Sequence, residues 1–149
     1  MDSKRVLLVD DEIVPGAIPG EGNYMWYYAQ ALRDAGFEVV EVTGPDAALE
    51  TLDKPHEPFC VITLDIMMPP GKTFAETDTQ QGLRTGLLLL DKITVLCPQV
   101  PVLVLTNVNN AKTVGELRGR PNVKAVLFKP DYTPYMLVEE VRKVLEPVG

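Results

Sequence analysis

Val61-Ile62-Thr63-Leu64-Asp65-Ile66-Met67-Met68-Pro69 is the stretch that decides the fold. A short run without polar–apolar alternation ends abruptly on an acid. Strands covered on both faces read this way, as in a parallel sheet with helices on each side. Three other runs share the design. Val6-Leu7-Leu8-Val9 ends at Asp10-Asp11, Val102-Leu103-Val104-Leu105 at Thr106, and Ala125-Val126-Leu127-Phe128 at Lys129-Pro130. In an open parallel sheet the carboxyl ends of the strands share one edge, and ligands bind there, where strand order reverses. Acids, a hydroxyl and an amine from distant parts of the chain would then converge on one pocket.

Outward from these runs, Glu38-Val39-Val40-Glu41-Val42 carries charges that suit an edge strand. Helical spacing fills the intervals. Met25, Tyr28, Ala29 and Leu32 mark one helix face, and Gly36 closes that helix. Gly44-Pro45-Asp46 opens a second helix with Pro45 at its first position. Leu83, Leu87, Leu90 and Thr94 mark a third, residues 109–118 form a weaker fourth interrupted by Gly115, and Thr133-Pro134 caps and starts the last. The apolar face of that last helix carries Leu137, Val141, Val144 and Leu145. Five strands alternating with five helices make a doubly wound α/β fold. With no repeat and no linker, residues 1–149 are expected to form a single domain.

Two connections are longer than the usual four to six residues or so. Residues 12–23 contain Pro15, Gly16, Pro19, Gly20 and Gly22, and residues 68–81 contain Pro69, Pro70 and Gly71. Both follow strands that end in acids, so both are expected to border the same pocket.

Composition narrows the function. A formal charge of −7 over 149 residues, with no Lys/Arg cluster, argues against a nucleic-acid surface and suits a divalent-cation site. Cys60 and Cys97 have no metal-knuckle or disulfide spacing, which fits a reduced, cytoplasmic setting. The apolar run before Asp10 is too short for a signal peptide or a membrane span.

Each strand ending has a bland reading and a chemical one. Asp10-Asp11 begins a solvated loop, or holds Mg2+, a hard ion that takes oxygen ligands and relieves the repulsion of adjacent acids. Asp65 is a strand-end cap, or a nucleophile able to form an aspartyl-phosphate beside a cation. Thr106 is an ordinary strand threonine, or a donor to a phosphoryl oxygen. Lys129 is solvated, or delivers a point charge to phosphate, with Pro130 biasing it towards extended backbone. Other candidates fail. Gly71-Lys72-Thr73 resembles the end of a phosphate-binding loop, but the glycine required five positions earlier is Ile66. His56 lies in a Pro/Glu-rich turn without an obvious partner. Of Trp26, Tyr27 and Tyr28, Tyr28 reads as core, with Trp26 or Tyr27 packing under the preceding loop.

In order along the chain, these motifs resemble the receiver domain of the two-component response-regulator family, over nearly the whole length. Asp10-Asp11-Glu12 after its strand matches the family's acidic pair. Asp65-Ile66-Met67-Met68-Pro69 matches its phosphoacceptor motif, and Leu105-Thr106 and Lys129-Pro130 match its switch hydroxyl and lysine–proline pair. The resemblance implies a flavodoxin-like five-stranded sheet of order 2-1-3-4-5. It implies that Asp65 accepts a phosphoryl group from a histidine kinase or phosphotransfer protein. Asp11, Asp65 and the Met67 carbonyl would ligate Mg2+, with Asp10 acting through water. Lys129 would pair with the phosphate or Asp65, and Thr106 would swing towards the phosphoryl group and reshape a partner-binding surface. Such a domain is regulatory, catalysing only its own phosphorylation and dephosphorylation. With no room for an output domain after Gly149, a stand-alone receiver with an unknown downstream partner is expected.

Departures from the family pattern carry expectations of their own. Val126 stands where an aromatic switch residue is common, and Asn107 where a small residue is usual. Met67 and Val108, two beyond Asp65 and Thr106, are apolar and cannot orient a water, which predicts slow phosphate loss. Gly86-Leu87-Leu88-Leu89-Leu90 resembles the start of the third helix but comes late, which suggests that the long loops form a partial lid or a docking surface. An interaction module that does not use its phosphorylation site is the alternative. A phosphatase with an aspartate nucleophile would need an acid where Met67 stands.

Overall fold

Each of the four runs, and the charged one, becomes a strand in a computed structural model that describes residues 3–13 and 24–146. β1 (Arg5–Val9), β2 (Glu38–Val42), β3 (Val61–Leu64), β4 (Val102–Thr106) and β5 (Val123–Phe128) pair in parallel in the order β2-β1-β3-β4-β5. The helices are α1 (Met25–Asp34), α2 (Pro45–Asp53), α3 (Thr85–Leu96), α4 (Ala111–Arg118) and α5 (Pro134–Leu145). This is the flavodoxin-like doubly wound fold. No helix among the described residues is long and apolar enough to cross a membrane.

The period of two along each strand divides the core into two layers. Leu7, Val9, Ile62, Leu64, Val102 and Val104 pack with residues of α2, α3 and α4 on one face. Val6, Leu8, Val61, Leu103, Leu105 and Leu127 pack with α1 and α5 on the other. Burying each Leu, Ile or Val side chain stabilises the fold by roughly 1.5–3 kcal/mol. β1 and β3, central and covered on both faces, therefore have a firmly set register: Val6 opposes Val61 and Val9 opposes Leu64.

Local signals place the helix ends. Met25, Tyr28, Ala29 and Leu32 are the buried residues of α1. Gly36, at φ 98°, ends it with paired bonds from its own N–H to the Arg33 carbonyl and from the Phe37 N–H to the Leu32 carbonyl. Pro45 opens α2. The side chains of Asn110 and Thr133 cap α4 and α5, accepting from the N–H groups of Thr113 and Met136. Gly115 does not interrupt α4.

Four further expectations need correction. Leu83 precedes α3 and is exposed, because the helix begins at Thr85 and buries Gly86, Leu87, Leu89, Leu90 and Ile93. Val138, not Leu145, completes the buried stripe of α5. The β5 run is not covered on both faces: it forms the second edge, and only Leu127 is fully buried. Lys129 opens a 3-10 turn, Lys129–Asp131, rather than extending the strand. The turn closes with a bond from the Tyr132 N–H to the Lys129 carbonyl, which outweighs the bias imposed by Pro130.

Candidate functional site

Strand pairing runs straight into the acids. The Asp10 N–H donates to the Val42 carbonyl and the Asp65 N–H to the Val9 carbonyl, at 3.1 and 3.0 Å. Asp10 and Asp65 thus leave adjacent strands at the same level, where strand order reverses between β1 and β3. Thr106 pairs with Phe128, which puts Lys129 one step beyond the end of the β4–β5 ladder.

There Lys129 Nζ lies 2.7 Å from Asp10 Oδ2, 3.4 Å from Asp65 Oδ2 and 3.7 Å from Glu12 Oε1. The closest partner is Asp10. Asp10 and Asp65 are only 1% and 4% exposed, so this ammonium is their chief charge compensation. It is not enough. Burial, together with repulsion from Asp65, raises the Asp10 carboxyl to about 6, against the pull of Lys129. Burial, with Asp65 and Glu12 adding to it, also raises Asp11. Burial opposes the charge of Lys129, but Asp65, Asp10 and Glu12 together outweigh it and hold the ammonium above its ordinary value.

The surplus of negative charge suits a cation. Asp10, Asp11 and Asp65 each offer a carboxylate oxygen, all within 4.8 Å of one another. An all-oxygen donor set is the kind a hard divalent ion takes.

Asp65 opens onto a cleft of about 500 Å³, which Asp11, Met67, Gln81, Gly82 and Asn107 also line. Asp10 and Lys129, close beside Asp65, are not among its lining residues. Thr106 is fully buried, its hydroxyl accepting from the Val108 N–H at 3.2 Å, and its neighbour Asn107 faces the cleft instead. Val126 packs half-buried against the α2–α3–α4 layer.

The second long connection does border the site. Of the first, Glu12 lines the cleft and Ile13 enters the core, while residues 14–23 lie outside the described residues, as does any packing of Trp26 or Tyr27 beneath them. Residues 67–84 are held at several points. Phe74 is buried in the α2–α3 layer. The Met68 N–H donates to the Gly82 carbonyl at 3.1 Å, and the Gly86 N–H to the Ile66 carbonyl at 2.8 Å. Gly86 is required: a Cβ there would fall on Ile66 Cα and lie 2.6 Å from the Asp65 carbonyl oxygen. Arg84 pairs with Glu116 of α4 at 2.6 Å.

Gly71-Lys72-Thr73 does cradle an anion, an internal one. The Lys72 and Thr73 N–H groups and the Thr73 hydroxyl donate to Asp46 at 2.8, 2.8 and 2.6 Å, and these bonds hold the Asp46 carboxyl below its ordinary value. His56 is exposed, beside the Glu57 carbonyl. Tyr28 is core, its hydroxyl donating to the Tyr132 carbonyl at 2.6 Å. Gln81 and the Asp46 clasp were not foreseen. Nothing in sequence spacing singles out Gln81, and the Gly-Lys-Thr triplet, set aside for want of a glycine at Ile66, gives no sign of Asp46.

No family model matches the sequence, and no curated protein matches it. Solved structures do. A CheY-like response regulator receiver domain protein from Methanospirillum hungatei JF-1 is similar at 22% identity and a TM-score of 0.71, over 95% of this chain and 93% of that one. The response regulator TrrA of Thermotoga maritima, in complex with Mg(2+)-BeF, is similar at 21% identity and 0.67, over 95% and 99%. A response regulator from Burkholderia pseudomallei with a phosphorylated aspartic acid, a calcium ion and citrate is similar at 23% identity and 0.66, over 97% and 67%. The fold is that of response-regulator receiver domains.

Proposed function

We propose that this chain is a phosphoacceptor signalling protein of a two-component system, with Asp65 as the acceptor. One observation carries this most: Asp65 sits on the floor of a cleft with Lys129 Nζ at 3.4 Å and two further carboxylates close by. A nucleophile, a cation and the means to hold a metal meet at one point. The phosphorylated aspartic acid of the Burkholderia pseudomallei protein and the Mg(2+)-BeF of TrrA support the same chemistry on this fold.

In the forward step an Asp65 oxygen forms a bond to phosphorus as the bond from phosphorus to a partner's histidine nitrogen breaks. Asp11, Asp65 and the Met67 carbonyl would hold Mg2+, with Asp10 bonding it through water. When bound, the ion supplies the positive charge that the cluster lacks. Lys129 neutralises charge on the phosphoryl oxygens, and phosphorylation of Asp65 gives it an alternative to Asp10. Thr106 turns its hydroxyl from the Val108 N–H to a phosphoryl oxygen, which reshapes the surface of α4, β5 and α5. That is a two-state switch biased by one new charged group.

The role is regulatory: the chain acts on its own aspartate, in the cytoplasm, between a histidine kinase or phosphotransfer protein and a downstream protein partner. Incubation with Mg2+ and acetyl phosphate should add one phosphoryl mass, seen by intact mass spectrometry and absent in Asp65→Asn. No adduct from acetyl phosphate or from a phosphohistidine protein would instead favour the unphosphorylated interaction module.

A further inference from the structure

We propose that Gln81, on the connection between β3 and α3, positions the water that removes the phosphoryl group from Asp65. This rests on the function proposed above. Phosphoryl hydrolysis is commonly assisted by a residue that orients the attacking water, and a glutamine amide serves that role in nucleotide hydrolysis. The positions two beyond Asp65 and Thr106, Met67 and Val108, are apolar. Yet Gln81 reaches the same cleft as Asp65 from the far end of the connection that Asp65 begins. Asp11 and Glu12 also line it, but Asp11 is assigned to the metal and Glu12 lies 3.7 Å from the Lys129 ammonium. An amide can donate to a phosphoryl oxygen and accept from water at once.

The backbone at this point supports the assignment. Gln80, Gln81 and Gly82 have φ of 53°, 60° and 90°, a left-handed run that side-chain-bearing residues rarely adopt. It is held from inside. The buried Thr79 accepts from the Gly82 N–H through its hydroxyl at 3.2 Å and from the Arg84 N–H through its carbonyl at 3.0 Å. The Gly82 carbonyl accepts from Met68. An anchored turn thus presents an exposed glutamine to the cleft in an unfavourable conformation. Strain of this kind persists where surrounding structure over-determines it, and it clusters at functional sites. Among the described residues, Asn107 is the other amide in the cleft and is the natural comparison.

In the step itself, the water oxygen bonds to phosphorus as the bond from phosphorus to Asp65 breaks. Asp65 leaves as a carboxylate, and the water protons depart with inorganic phosphate. The slow phosphate loss expected from Met67 and Val108 alone is therefore replaced by faster, Gln81-assisted loss.

The test is to load the full chain with acetyl phosphate and Mg2+, remove the donor, and follow decay of the adduct by intact mass. Gln81→Ala and Gln81→Gly should both slow decay at least fivefold, with a smaller change in the rate of uptake. Glycine accepts the left-handed backbone, so its failure to preserve fast decay assigns the effect to the amide. Fast decay kept in Gln81→Gly, unchanged decay in both variants, or slowing only in Asn107→Ala would overturn the proposal while leaving Asp65 as acceptor. No uptake in the unmodified chain from any donor would overturn both.

Discussion

The strand ends and the β3–α3 connection form one cleft by opposite means. Asp10, Asp65, Thr106 and Lys129 sit at or one residue beyond strands whose register is fixed by two core layers, so residue type at a counted position becomes geometry. Residues 67–84 take their course from contacts scattered over the fold: the Asp46 clasp, buried Phe74 and Thr79, Gly82 against Met68, and Arg84 on α4. The sheet supplies reactive groups with little freedom, and the connection supplies what surrounds them. Chemistry and its timing are thereby separable, and substitutions should sort accordingly.

The largest effect should come from Lys129→Met. It strands two buried carboxylates, and losing one partner of a buried ion pair costs about 3–5 kcal/mol. Urea unfolding of the metal-free protein measures this, and saturating Mg2+ should restore much of the loss.

Asp10→Asn should act in the opposite direction on the metal-free protein. The Asp10 carboxyl is raised from 3.8 to about 6, so between those values the folded chain keeps a proton that the unfolded chain has lost. Stability from this group is full below pH 4 or so, is lost as pH rises to about 6, and stays lost above. The asparagine variant should be more stable at pH 7, by at most about 3 kcal/mol, and should lose the Asp10 share of the stability gradient between pH 4 and 6. It should also bind Mg2+ more weakly by calorimetry. A variant less stable than the parent at pH 7 would show that the Lys129 bond outweighs the repulsion.

Gly86→Ala probes the seam between the two regions, since its Cβ meets backbone at Ile66 and Asp65. Overpacking of this kind costs about 1–3 kcal/mol, and slower phosphorylation should accompany it as Asp65 is displaced. The smallest effect belongs to Asp46→Ala. Its clasp is exposed, so the midpoint of unfolding should scarcely move, while hydrogen exchange at the Lys72 and Thr73 amides quickens. If phosphate uptake fell as far in Asp46→Ala as in Gly86→Ala, the separation between frame and connection would not hold.

That division also explains what could be read from residues alone. The strand positions, the order-reversal pocket and its acids and lysine followed from uninterrupted runs and from what ended them. The edge position of β5 came only with the strand order that the resemblance implied, because Ala125-Val126-Leu127-Phe128 is as apolar as a central strand, and composition alone reads it as covered on both faces. Leu83 fits the helical period of α3 but is diverted by the left-handed turn just before it, a conformation that no glutamine pair announces. Gly71-Lys72-Thr73 lacks the glycine of a phosphate-binding loop, and its pairing with Asp46 of α2 depends on tertiary placement that spacing does not carry.

The reliance of Asp10 and Asp65 on a lysine that follows β5, far along the chain from either acid, has a consequence for synthesis on the ribosome. Chains emerge amino-terminus first. β1, β3 and their acids are therefore made long before Lys129, and neighbouring carboxylates would face one another with no ammonium between them. The closing edge of the sheet and the counter-charge arrive in the same few residues, so a nascent chain gains both together, and one halted before Lys129 lacks the means to settle its own centre.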